Sequence, residues 1–138
     1  MLVRDLMTKD VAVTTRDTML THAATVMTHR AIGMLVVVDD QTGMQVLGVL
    51  SDSDIIGKVV AQRVVPGQVM VGDIMTPEVL TIPPTSTVSD AANIMRTKKL
   101  KRLPVIEGGR LVGIISSTDI LRAILDVKKQ LLNVALEF

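Results

Sequence analysis

An α+β fold made of two tandem β-α-β-β-α units is what this sequence predicts. Three observations predict it: the 138-residue chain is written twice, each copy holds one amphipathic helical stripe, and each holds two β-branched runs joined by turn residues. Sliding the chain by 68 aligns Val3-Arg4-Asp5-Leu6-Met7-Thr8 with Val71-Gly72-Asp73-Ile74-Met75-Thr76, and the register holds through Ala23, Ala24 and Met27 against Ala91, Ala92 and Met95. Past Val37 the first copy gains three residues in the turn Asp39-Asp40-Gln41-Thr42-Gly43, so the offset becomes 65. Gly48-Val49-Leu50-Ser51-Asp52-Ser53-Asp54-Ile55 then matches Gly113-Ile114-Ile115-Ser116-Ser117-Thr118-Asp119-Ile120. A period of this size marks one supersecondary unit used twice.

The elements follow in the same order in each copy. Asp10 to Thr14 and Glu78 to Ile82 read as short extended segments, and polar or Pro-rich punctuation (Pro83-Pro84) leads from them into a helix. Leu20, Ala23, Ala24 and Met27, or Val88, Ala91, Ala92 and Met95, recur at i, i+3, i+4, i+7, the stripe of an amphipathic helix. Thr87 with Asp90 has the spacing of a capping box, and the small alanines let the helix lie close to a neighbour. Leu35 to Val38 with Val46 to Leu50, and Leu103 to Ile106 with Leu111 to Ile115, read as hairpins, since Asp39 to Gly43 and Glu107-Gly108-Gly109-Arg110 carry turn residues. The runs are nearly all apolar, which predicts strands covered on both faces. A second helix is expected from about Ser53 and Thr118. The later one runs on through Leu125, Leu131, Leu132 and Ala135, as a longer capping helix or as a subunit contact. The expected organisation is a first copy over 1–60, a linker over 61–70 around Pro66-Gly67, a second copy over 71–127, and a helical extension over 128–138.

Composition excludes several functions. Fifteen Lys and Arg against fourteen Asp and Glu leave a net charge of +1, too balanced for a generic polyanion binder. There is no Trp or Tyr, and the single Phe is Phe138, so no aromatic platform exists for stacking bases; no nucleic-acid partner is expected. The absence of cysteine excludes thiolate nucleophiles and Cys-based zinc sites. His22 and His29 would lie about 10 Å apart along one helix, too far to share a metal. The nine methionines read as core filler. The longest apolar run, Ala31 to Val38, is far short of the roughly 20 residues a membrane span needs, and no signal-peptide core follows Met1; a soluble, cytoplasmic protein is expected. Hydroxyls and carboxylates occur without a recognisable base, metal cage or nucleophile, so the chain does not read as an enzyme.

The opening Asp-Leu-Met-Thr and Asp-Ile-Met-Thr, the Pro104-Val105-Ile106-Glu107 stretch, and Gly-x-x-Ser-x-x-Asp-Ile before each last helix resemble the cystathionine β-synthase (CBS) domain. Two in tandem, from about Val3 to Asp126, are similar to a Bateman module. The resemblance implies two repeats packed about a pseudo-twofold axis, with two clefts that take an adenosine-containing ligand (AMP, ADP, ATP or S-adenosylmethionine). It further implies a stand-alone, non-enzymatic regulatory module that forms a homodimer and signals to a partner protein, with no cofactor beyond the regulatory ligand. A structural module for dimerisation or partner docking, without nucleotide, is the competing reading.

Carried over residue by residue, the resemblance implies a site A of Val49, Ser51, Ser53 and Asp54 with Thr76, Val79, Leu80, Lys101 and Arg102. Site B would hold Ile114, Ser116, Thr118 and Asp119 with Thr8, Val11, Ala12, Gly33 and Met34. The chemistry suits such a ligand. A carboxylate accepts two hydrogen bonds from a ribose diol, a strand-to-helix junction offers N–H groups to phosphate, and Val49 and Ile114 offer aliphatic walls to a base. Ser-x-x-Asp is also a helix capping box, and both roles can coexist. Gly33 and Met34 stand where the second copy has Lys101 and Arg102, and Val36 stands where the family has a proline. A phosphorylated ligand is accordingly expected to prefer site A.

Overall fold

The computed structural model describes residues 1–136, so the single Phe, Phe138, lies outside the described residues. The described chain folds as two compact units that do not follow the order of the repeats. A central unit holds Asp10–Leu80 with Gly108–Leu111, and a terminal unit holds Met1–Lys9, Thr81–Glu107 and the chain from Val112 onward. The first nine residues therefore fold with the second copy, and the opening of the second copy folds with the first.

In the central unit, β1 (Val13–Thr14), α2 (Leu20–Arg30), β2 (Met34–Val38), β3 (Val46–Ser51), α3 (Asp52–Ile55), α4 (Val71–Ile74) and β4 (Thr76–Pro77) surround one core. The sheet order is β1-β2-β3-β4. β1 runs parallel to β2 with Val13 opposite Val36. β2 and β3 form the expected hairpin, with Met34 opposite Ser51 and an irregularity at Val37/Val38. β4 adds antiparallel to β3, Val49 opposite Thr76. Leu20, Ala23 and Met27, the predicted stripe, pack on Leu35, Val37 and Leu50. The stretch between the copies is ordered: Val69 is buried, and its carbonyl accepts the first α2 N–H, from Leu20 at 2.9 Å. That bond explains why α2 begins without a side-chain cap, since one orphan donor already has a partner.

The terminal unit repeats the plan with α1 (Val3–Leu6), α5 (Val88–Lys98), β5 (Arg102–Glu107), β6 (Arg110–Ser116, which lies in this unit from Val112 onward) and α6 (Ser117–Leu136). Its core is Val3, Ile82, Ala91, Met95, Leu103, Val105 and Ile115. Here the flanking strands shrink to bridges, Ile82 parallel to Val105 and Thr8 antiparallel to Ile114. Pro104 supplies the reason for the first. Its counterpart Val36 donates its N–H to the Ala12 carbonyl at 3.1 Å, and a proline has none to donate. Gly108 (φ 58) and Gly109 (φ 77) are the paired left-handed residues of a two-residue hairpin turn.

Two expectations need correction. β2 and the first half of β5 are covered on both faces, but β3 and β6 alternate buried with half-buried residues, because only one of their faces meets the core. The opening segments, which the sequence marks only as motifs, form single helical turns; Asp5 and Asp73 reach back to the N–H groups of Leu2 and Met70 at 2.8 and 2.9 Å. The second helices start one residue earlier than expected, at Asp52 and Ser117. The long last helix forms as predicted, and its Leu121, Ile124, Leu125, Leu131 and Leu132 are all more than half exposed.

Candidate functional site

The repeated chemistry lies at two strand-to-helix junctions. In the central unit, β3 ends at Ser51, the N-cap of α3. The Ser51 hydroxyl accepts the Asp54 N–H at 3.2 Å, while Asp54 Oδ2 accepts the Ser51 N–H and hydroxyl, each at 3.0 Å. The capping box read from Ser-x-x-Asp therefore forms. Its geometry recurs in the terminal unit: the Ser116 hydroxyl accepts the Asp119 N–H at 3.1 Å, and Asp119 Oδ2 accepts the Ser116 N–H at 2.9 Å.

Each junction is closed by the opening threonine of the other copy. Thr76 pairs with Val49 across β4 and β3, and Thr8 exchanges two backbone bonds with Ile114, at 2.8 and 2.9 Å. Close approach requires the glycine beside each pairing. A Cβ on Gly48 would collide with the Thr76 carbonyl oxygen, and one on Gly113 would stand 2.6 Å from Met7 Sδ and 3.0 Å from the Thr8 carbonyl. The structure thus brings Val49, Ser51 and Asp54 together with Thr76, and Ile114, Ser116 and Asp119 together with Thr8. Ser53 and Thr118 are exposed on the first helical turns. Val79 is half-buried, Leu80 is exposed, and Val11 and Ala12 are half-buried beside β1.

The remaining residues are placed by their own copy. The Lys101 carbonyl accepts the Ser117 N–H at 2.9 Å, so Lys101 and Arg102 belong to the terminal unit beside the Ser116–Asp119 junction. The Gly33 carbonyl accepts the Asp52 N–H at 3.0 Å, and Met34 lies opposite Ser51. Gly33 and Met34 thus lie at the first junction.

The two carboxylates differ in environment. Asp54 is 7% exposed and carries two further partners on Oδ1, the Thr76 hydroxyl at 2.9 Å and Lys58 Nζ at 3.0 Å. Burial alone would raise its pKa; the Ser51 N–H, Lys58, Thr76 and the Ser51 hydroxyl outweigh that and hold it below the usual carboxylate value. Lys58 lies in a π-helical stretch, Ile56–Val60, directly after α3. Sequence reasoning missed it, although its i+4 spacing from Asp54 is a readable signal. Asp119 is half-buried and lines a groove of about 420 Å³ with Asp5, Arg122, Asp126 and Gln130. No group of three or more potential metal ligands occurs among the described residues, and His22 and His29 are exposed on α2.

A duplicated α+β unit, each copy completed by the opening segment of the other, defines a tandem-repeat protein with two corresponding junctions. A family model described as CBS domain matches residues 3–61 and 71–126, and the chain belongs to that family. It is similar to the CBS-domain containing protein ATU1752 from Agrobacterium tumefaciens, with 32% identity, a TM-score of 0.81, and 89% of this chain and 98% of that one covered. It is similar also to the structure of CBSX2 in complex with AMP, with 29% identity, a TM-score of 0.79, and 92% and 98% covered. Among curated proteins, the mitochondrial CBS domain-containing protein CBSX3 of Arabidopsis thaliana is 31% identical over 67% of this chain and 46% of its own length. The chain spans about half the length of the curated relatives it matches. No described helix is long and apolar enough to cross a membrane.

Proposed function

We propose that the chain is a non-enzymatic regulatory module that binds an adenosine-containing ligand and signals its presence to a partner protein. The observation that carries this reading is the twofold recurrence of the Ser-x-x-Asp junction, each closed by the opening threonine of the other copy. Candidate contacts are Val49, Ser51, Ser53, Asp54, Thr76, Val79 and Leu80 in the central unit, and Thr8, Ile114, Ser116, Thr118 and Asp119 in the terminal unit. Lys101 and Arg102 supply positive charge for a phosphate. A junction carboxylate takes the ribose diol, and the base meets aliphatic walls, since the chain has no Trp or Tyr. The AMP held by CBSX2 supports the ligand class.

Signalling requires that ligand bind two conformations unequally. Ile56 and Val60, exposed beyond 60%, and the leucines of α6 favour a homodimer whose contacts respond to ligand. The test is thermal unfolding with AMP, ATP or S-adenosylmethionine: ligand at 100 times its Kd adds about 2.7 kcal/mol. No shift with any of them would leave the structural or partner-docking reading in its place.

A further inference from the structure

The two junction carboxylates differ in how many lone pairs are already taken. Asp54 meets four donors: the Ser51 N–H and hydroxyl on Oδ2, and the Thr76 hydroxyl and Lys58 ammonium on Oδ1. An ionised carboxylate offers about four acceptor sites, so Asp54 is saturated. Asp119 receives one bond, from the Ser116 N–H, and among the described residues its Oδ1 has no partner. The sequence accounts for the difference. At the offset of 65, the counterpart of Lys58 is Ala123, which has no donor. Thr8, the counterpart of Thr76, is exposed and makes no side-chain hydrogen bond among the described residues. Lys58 is itself held at a second point, donating to the Ile74 carbonyl at 2.9 Å at the end of α4. A diol approaching Asp54 must displace an ammonium fastened to two oxygens, whereas at Asp119 it displaces only water.

We propose that Lys58 decides which junction accepts a ligand: it keeps Asp54 occupied, so a vicinal diol is taken at Asp119. This reverses the preference expected from the Lys101–Arg102 pair, and it rests on the adenosyl-binding reading above. The basic pair is consistent with the reversal, since the Lys101 carbonyl holds the start of α6 through Ser117. Lys58 acts through Asp54 and is a positioning residue.

Calorimetric titration of the full chain with AMP tests it. The wild type takes one AMP per chain. Asp119→Asn weakens that site by about tenfold or more, as loss of a charge-assisted contact requires, and Lys58→Met, which keeps the aliphatic stem, gains a second site. Two equal sites in the wild type, or a single unchanged site in Lys58→Met, would overturn the proposal while leaving the adenosyl reading intact. Binding of none of AMP, ATP and S-adenosylmethionine, each titrated in the same way, overturns that reading. The titration of the Asp54 carboxyl carbon by NMR then still decides the role of Lys58: the midpoint moves up in Lys58→Met, and an unmoved midpoint contradicts the lock. A folded Lys58→Met protein is verified by the same spectra.

Discussion

Asp39 anchors the first hairpin turn by accepting the N–H and hydroxyl of Thr42 and the N–H groups of Gln45 and Met44. These bonds, the Thr42 N–H foremost, hold its pKa down to about 2, from an ordinary 3.8. A folded pKa below the unfolded value means that the folded state binds fewer protons, so the stabilisation is full above the unfolded value and is lost as pH falls toward about 2. Asp54 has the same sign. A carboxyl-detected NMR titration should find Asp39 near 2, and an ordinary midpoint would show that the turn bonds do not persist in solution. The turn was legible in the sequence as a cluster of turn residues. The identity of the anchor was not, because four polar side chains there, those of Asp39, Asp40, Gln41 and Thr42, compete for the role. Asp54 is the converse case: its local partner Ser51 follows from spacing, but Thr76 lies 22 positions away, and nothing local announces it.

Helix ends and crossing strands carry the fold at the level of elements. Thr87 caps α5, its hydroxyl accepting the Asp90 N–H at 3.0 Å; Thr87→Ala should cost about 1 kcal/mol in chemical denaturation, and no change would mean that water replaces the cap. Ala31 and Lys99 close α2 and α5 in the left-handed conformation, φ 52 and 55, where glycine is unstrained. Ala31→Gly is expected to stabilise by roughly 0.5–1 kcal/mol, and destabilisation would contradict the assigned end. Gly48→Ala should destabilise by about 1–3 kcal/mol, and by more than Gly113→Ala. The first collides with backbone, the second chiefly with the flexible Met7 side chain; equal unfolding midpoints would argue against the close pairing of β3 and β4. Helices and hairpins were readable because their periods are local. The exchange of opening segments was implied only through resemblance, since Val49 to Thr76 and Thr8 to Ile114 are long-range pairings that no window of sequence contains. The single-turn helices were also hidden, as four residues cannot display a 3.6-residue period.

For the whole molecule, duplication was the most legible property, because fourteen identities fall in 48 aligned positions over 3–38 and 46–57. What duplication conceals is inequality: Lys58 against Ala123, Val36 against Pro104, and Gly33-Met34 against Lys101-Arg102 make two junctions of one pattern chemically different. The exposed leucines of α6 predict a homodimer, and light scattering at micromolar concentration should return about twice the 14.9 kDa chain mass; a monomer would remove the dimer from the signalling scheme. Ligand capture itself is tested most directly by native mass spectrometry of the intact chain with saturating AMP. The account predicts one adenosine nucleotide per chain, with half-occupancy moved to about tenfold higher AMP in Asp119→Asn; a spectrum free of nucleotide at saturation would contradict it.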